Sequence, residues 1–319
     1  MLSKLGLKHR EDTLHISIFT VTFVADLLLI GLYQPTVLWT IFLLLSSFVL
    51  LYCKGHAGAF NHHYQHNEAF EDMGMNHMLH SMLAVHTFVP YGHWVYQHNL
   101  DHHANTIPAA PFPHDAAGWM NKDGTQMSHG EFVFKIGLYA HYSVFKNLFK
   151  LKDYSKRYAF DTILATLIFV TFLVVGFLFN PIPTFVLWFA LPLIVFFSTV
   201  SETYIHHAGL YENESQARGA RNEISPEYNF CSGNLGYHSA HHETCNLHWT
   251  QYPELHITLH KDGEILDESH RYHVKQPTWF YKILMKLFYK TESEMNARRE
   301  VAFSVHSEEV KSLYKREVA

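Results

Sequence analysis

Two histidine patterns carry the chemistry of this chain: His98-x-x-x-His102-His103 and His238-x-x-His241-His242. In each, one histidine is followed about a helical turn later by an adjacent pair. Residues three and four apart share a helix face, so each pattern can aim two or three imidazoles at one point. Neutral imidazole is a good ligand for iron, zinc and copper. A third cluster, His56, His62, His63 and His66, comes earlier, and the 319 residues include 27 histidines. His62 and His66 are four apart and share a face, which ranks them above His56 and His63. Adjacent histidines on a helix diverge by about 100°, so one member of each pair could serve each of two metals. Glu202 and His206 stand four apart near the end of an apolar stretch, with His207 beside them.

The first-rank metal ligands are therefore His62, His66, His98, His102, His103, His206, His238, His241 and His242. Nine nitrogens are too many for one ion and suit two ions of four or five ligands each. Zinc enzymes usually use three or four ligands. His56, His63, Glu202 and His207 form a second rank, either on a metal or supporting a ligand. Isolated histidines such as His77, His80, His86, His93, His129 and His141 read as surface or hydrogen-bonded residues.

Four stretches must position these clusters, at about 14–33, 36–53, 160–179 and 184–205. Each has about the 20 apolar residues that cross a hydrocarbon core of ~30 Å. Short turns, Gln34-Pro35 and Asn180-Pro181-Ile182-Pro183, join them into two hairpins. Lys4, Lys8 and Arg10 flank one open end; Lys146, Lys150, Lys152, Lys156 and Arg157 flank the other; the tight turns carry no basic residue. By the positive-inside rule both termini and all the histidine clusters face the cytoplasm. An apolar segment at 75–89, ended by Pro90, reads as an interfacial or re-entrant helix. Residues 277–290 read as an in-plane amphipathic helix with Lys282, Lys286 and Lys290 along one side. Residues 105–130 form a Pro/Gly/Asp-rich loop. Residues 1–291 make one membrane domain, with a cytosolic cap of about 54–159 and 206–291, and 292–319 form a charged tail.

Composition narrows the classes. Charged residues make up 17% and the net charge is −5, so a nucleic-acid partner is not expected. Mean hydropathy is −0.06, an average of very apolar and very polar blocks. Three cysteines without zinc spacing supply neither a disulfide scaffold nor an iron–sulfur cluster. The first apolar block is too long for a cleavable signal peptide.

The motifs together resemble the membrane-bound di-iron fatty-acid desaturase and hydroxylase superfamily. Ala57-Gly58-Ala59 leading into His62 and His66 resembles its first histidine box. Val89-Pro90-Tyr91-Gly92-His93-Trp94, followed by His98 and His102-His103, resembles the entry to the second. Gly236-Tyr237-His238-Ser239-Ala240-His241-His242 is similar to the third, and His206-His207-Ala208-Gly209 falls where the family places an extra histidine. Glu202 departs from the pattern, standing where acyl-CoA desaturases place an Asn. Asp115-x3-Trp119, Lys122-Asp123-Gly124 and Asn246-Leu247-His248-Trp249 resemble a bacterial subgroup that includes terminal-alkene-forming fatty-acid decarboxylases.

The resemblance implies an all-α integral membrane fold of two transmembrane hairpins under a cytosolic, histidine-rich dimetal cap, in a bacterial inner membrane. It implies two non-heme irons, O₂ as co-substrate, a fatty-acyl substrate drawn from the bilayer, and desaturation. It also implies an external electron donor such as ferredoxin or another reductase system. Oxidative decarboxylation and hydroxylation are the nearest alternatives. A histidine-rich metal transporter is a further one, although it would place ligands near the bilayer midplane. A structural membrane protein with incidental histidines is the last.

Overall fold

The computed structural model describes residues 6–103, 118–121, 123–146, 155–210, 219–223 and 226–264. In chain order the helices are α1 (Asp12–Leu32), α2 (Val37–His66), α3 (Met73–Thr87), α4 (His129–Lys146), α5 (Lys156–Phe179), α6 (Pro181–His207), α7 (Pro226–Ser232), α8 (His238–Glu243) and α9 (Tyr252–Lys261), with a π-helical turn over Val95–His102. Among the described residues there is no strand, only the isolated bridges Leu7–Phe70 and Met120–Gln126. Helices α1, α2, α5 and α6 are long and apolar enough to cross a membrane. The amphipathic helix expected at 277–290 and the tail at 292–319 lie outside the described residues, as does most of the loop expected across 105–130.

The described chain divides into two compact units. The first holds α1 to α5 and α6 as far as Tyr204. Its two hairpins follow from the sequence punctuation. Thr36 caps α2 by accepting from Trp39 N–H at 3.3 Å, and Pro181 opens α6 where its missing N–H costs nothing. The Asn180 side-chain amide donates to Ile30 O and Tyr33 O, both at 3.1 Å, and so ties the two hairpin turns together. Helix α2 has 30 residues, about 45 Å at 1.5 Å per residue. It is therefore about 15 Å longer than a hydrocarbon core. That excess carries the first histidine cluster beyond the span without a break in the helix.

Inside this unit an ion pair is sealed among apolar side chains. Lys54 Nζ donates to Asp26 Oδ2 at 2.5 Å and to His86 Nδ1 at 3.0 Å, and neither charged side chain has any solvent exposure. Trp188 Nε1 donates to Asp26 Oδ2 at 3.2 Å, and His86 Nε2 donates to Phe19 O at 3.1 Å. A buried charge is tolerable only when paired and hydrogen-bonded, so these contacts specify how α1, α2, α3 and α6 register. Around them pack Leu29, Ile30, Leu50, Val85 and Leu187. Helix α3, capped by Asp72 and ended by Phe88 in the left-handed region (φ 62°), packs against α1, α2 and α5.

The second unit comprises Gly118–Gln126 and the chain from Ile205 on. Tyr237, Ala240, Tyr252 and Leu259 form its core. Asn222 clamps the start of α8: its Oδ1 accepts from Ser239 N–H at 3.0 Å and its amide donates to Ser239 Oγ at 2.8 Å.

Candidate metal centre

In the first unit, α2 presents His62 and His66 on one face, four residues apart as the spacing requires. The second pattern is built differently from the α-helix the spacing implied. Val95–His102 is π-helical, and His103 N–H donates to His98 O, five residues back, at 2.8 Å. An α-helix would turn positions 98 and 103 about 140° apart. The π turn makes them neighbours, and such turns recur at functional sites. His103 thereby joins His98, with Nε2 atoms 3.1 Å apart.

The four side chains converge. His62 Nε2 lies 2.6 Å from His98 Nε2 and 3.2 Å from His66 Nε2, and one ring nitrogen from each of His62, His66, His98 and His103 lies within 4.8 Å of every other. Burial, followed by the neighbouring imidazoles, holds His98 well below the usual histidine range. A neutral ring keeps a lone pair for a metal. Two such lone pairs at 2.6–3.2 Å repel unless a proton or a cation lies between them. With metal–nitrogen bonds of about 2.0–2.1 Å, ligand atoms at right angles are about 3 Å apart, which is the spacing these nitrogens adopt. The donor set is nitrogen throughout, which suits iron, zinc or copper and not magnesium or calcium. Trp94 walls the cluster, its ring 5.4 Å from His62 and 5.5 Å from His98. His102 is buried with its ring 5.1 Å from that of His98, and stands outside the four.

In the second unit the hydrogen bonds fix which nitrogen carries the lone pair. His207 Nδ1 donates to Gly219 O at 2.9 Å; a carbonyl can only accept, so the lone pair is on Nε2. That Nε2 lies 3.0 Å from His238 Nε2, and a ring nitrogen of His242 lies within 4.8 Å of that of His207. Tyr252 O–H donates to Cys245 O at 3.3 Å, so its oxygen accepts from His241 Nδ1 at 3.1 Å and leaves His241 Nε2 as the ligand atom. Such outer partners fix the tautomer and orientation of metal-bound histidines.

The remaining sequence-named residues sit elsewhere. His206 uses both nitrogens: Nδ1 donates to Arg221 O at 2.8 Å and Nε2 accepts from Tyr228 O–H at 3.2 Å, while its ring stacks on His238 at 4.2 Å. His56 Nε2 pairs with His15 Nδ1 of α1 at 2.8 Å. His63 packs edge-on against Phe60. Glu202 is half-buried on α6 and joins neither group of converging ligand atoms. Tyr252 and Tyr228, which orient histidines, were not legible beforehand, because no spacing rule links them to the rings they hold.

The fatty acid desaturase family model matches residues 37–276, about three quarters of the chain and every histidine of these clusters. No curated protein and no solved structure matches. From the apolar hairpins to the convergent imidazoles, the chain belongs to the fatty acid desaturase family.

Proposed function

We propose that this protein is a membrane oxidoreductase that uses two irons and O₂ to desaturate a fatty-acyl chain. The observation that carries the reading is the convergence of buried Nε2 atoms at 2.6–3.2 Å on His62, His66, His98 and His103. The proposed ligands are those four with His102, His207, His238, His241 and His242. His207 stands in this set in place of His206, because with Nδ1 bonded to Gly219 O its Nε2 lies 3.0 Å from His238 Nε2, while His206 Nε2 takes the Tyr228 proton. Two irons held there would supply oxygen-activating and hydrogen-abstracting chemistry. The protein's own residues hold the imidazoles neutral and oriented: Gly219 O and Tyr252 each take an Nδ1 proton. The apolar hairpins bring an acyl chain from the bilayer. Basic residues at their open ends, Lys8 and Arg10 among them, support a cytoplasmic active site in an inner membrane. Electrons come from a separate ferredoxin or reductase.

A second reading, oxidative decarboxylation to a terminal alkene, is favoured by the resemblance of Asn246-Leu247-His248-Trp249 to that subgroup. One experiment serves both. The protein purified in detergent is loaded anaerobically with iron, beside His102→Ala and His241→Ala, and its metal content is measured. The expected result is about two irons per chain, lost in the variants. Mass spectrometry with O₂, a reductant system and fatty acids or their thioesters then distinguishes a product two hydrogens lighter from one a carbon shorter. Stoichiometric zinc, no stoichiometric metal, or sustained turnover without reductant would each refute the proposal.

A further inference from the structure

Helix α4 has two apolar faces where the fold uses one. Its first face is buried: Phe132, Ile136, Ala140 and Val144 are covered, and Gly137 admits the Phe197 ring of α6 where a Cβ would collide with it. His129 Nε2 lies 2.8 Å from Ser201 Oγ, and the His129 ring stacks on Tyr204 at 5.0 Å. The second face carries Phe134, Leu138, Tyr142 and Phe145, which are 65%, 59%, 59% and 54% exposed. Their spacing of four, four and three residues makes a single stripe within about 80° of the helix circumference. Lys135 and Lys146 are eleven residues apart, within about 20° of one another, and border that stripe on one side, where Lys135 Nζ also donates to Glu131 Oε1 at 2.6 Å.

Helix α4 is not one of the membrane-crossing candidates. An apolar stripe with a lysine border is instead the pattern of a helix lying in the plane of a membrane interface, its lysines reaching up to headgroup phosphates. The stripe is continuous with surface already assigned to the bilayer. Phe134 of α4 and Phe197 of α6 line a common groove of about 390 Å³ with Val133 and Gly130. One turn before Phe197, Ile194 of the same span is 52% exposed.

We propose that α4 is an in-plane membrane-docking helix that sinks Phe134, Leu138, Tyr142 and Phe145 into the acyl layer and sets Lys135 and Lys146 against anionic lipid phosphates. The docking has a consequence for the ligand-bearing turn. Gln97 donates its side-chain amide to Ala140 O and, at 2.9 Å, to Ser143 Oγ, and His93 Nδ1 lies 3.0 Å from His141 Nδ1. Helix α4 therefore grips the segment that carries His98 and His103, and its seat in the lipid fixes the depth of that segment.

The test is photocrosslinking of the full-length protein in vesicles of zwitterionic lipid with a minority of anionic lipid. p-Benzoylphenylalanine is placed singly at Phe134, Tyr142 and Phe145, with Leu178, 83% exposed on the α5 span, as the lipid-facing control. Adducts are identified by mass. The expected result is lipid adducts at all three α4 positions, enriched in the anionic lipid by roughly fivefold per lysine engaged. Lys135→Gln with Lys146→Gln should return the adducts to the bulk lipid ratio. Absence of lipid adducts at α4 while position 178 labels, or crosslinks to a second copy or to residues 277–290, would overturn the docking. Lipid adducts at the bulk ratio in the unsubstituted lysine background would overturn the headgroup contact.

Discussion

Replacing Lys54 by methionine removes a charge while keeping the length of an unbranched side chain. At 2.5 Å and an effective dielectric near 20, the attraction between Lys54 and Asp26 is about 6–7 kcal/mol before desolvation is counted. Desolvation of each ion costs several kcal/mol, so the intact pair is close to neutral against an apolar replacement. Removing one partner is a different matter. Asp26 would keep a single donor, Trp188 N–H at 3.2 Å, and its Oδ1 has no hydrogen-bond partner to compensate. The expected loss for Lys54→Met is about 3–5 kcal/mol. Asp26→Leu with Lys54→Met removes both charges and should recover part of it. What remains is His86 Nδ1 without its Lys54 donor and Trp188 N–H without its Asp26 acceptor, each a cost of about 1–2 kcal/mol. Equilibrium unfolding in mixed micelles, followed by tryptophan fluorescence, measures all four corners of the cycle. A coupling energy of several kcal/mol is expected. Equal destabilisation of the single and double variants would refute the argument, because packing and not charge would then be the cause.

Three further outcomes follow from the site and its supports. Tyr252→Phe takes the acceptor from His241 Nδ1, so metal affinity should fall about 10–100-fold in a competition titration with little change in fold, and unchanged affinity would remove Tyr252 from its orienting role. Gly92→Ala forces a side chain into a left-handed backbone (φ +86°), a strain of about 1–2 kcal/mol, and drives it into Thr162 Oγ1. Gly124→Ala has the same sign of φ (+83°) with no neighbour within 4 Å and isolates the strain alone; metal content should drop for Gly92→Ala and hold for Gly124→Ala. Burial, and then a neighbouring histidine, holds His80 and His93 to about 3, and burial alone holds His141 to about 4. These folded values lie below the unfolded value near 6.5, so the unfolded chain binds more protons on acidification. Stability is therefore whole above about pH 6.5 and falls as pH drops towards 4, by up to about 1.4 kcal/mol per unit for each ring. His80 has no hydrogen-bond partner at either nitrogen, so His80→Phe should flatten that acid limb, and parallel limbs would count against it.

The spans were legible because hydropathy over about 20 residues is a property of composition, and Pro and Asn at 34–35 and 180–183 mark the turns whatever surrounds them. The pairing of His62 with His66 was legible for the same local reason: four residues on a continuous helix fix their shared face. The histidine spacing also pointed to a nitrogen-rich metal site, because imidazoles three and four apart on a helix share a face.

Other features depended on groups far away in sequence. The choice of α2 as one unbroken helix to His66, of a π turn over Val95–His102, and hence of His103 beside His98, rests on packing that no 3.6-residue template encodes. His206 and His207 are neighbours in the chain and look interchangeable. Arg221 O and Tyr228 occupy the nitrogens of one, while Gly219 O orients the other and brings its Nε2 to 3.0 Å from His238 Nε2. The Asp26–Lys54–His86 cluster joins residues 28 and 32 positions apart, which read individually as awkward polar residues in or near apolar segments. The sequence alone determined which side chains could bind a metal and that they hang from membrane hairpins. The tertiary structure decided which lone pairs point together: packing turns the rings toward one another, and at His207 and His241 the group that takes the other proton, Gly219 O or Tyr252, fixes the direction.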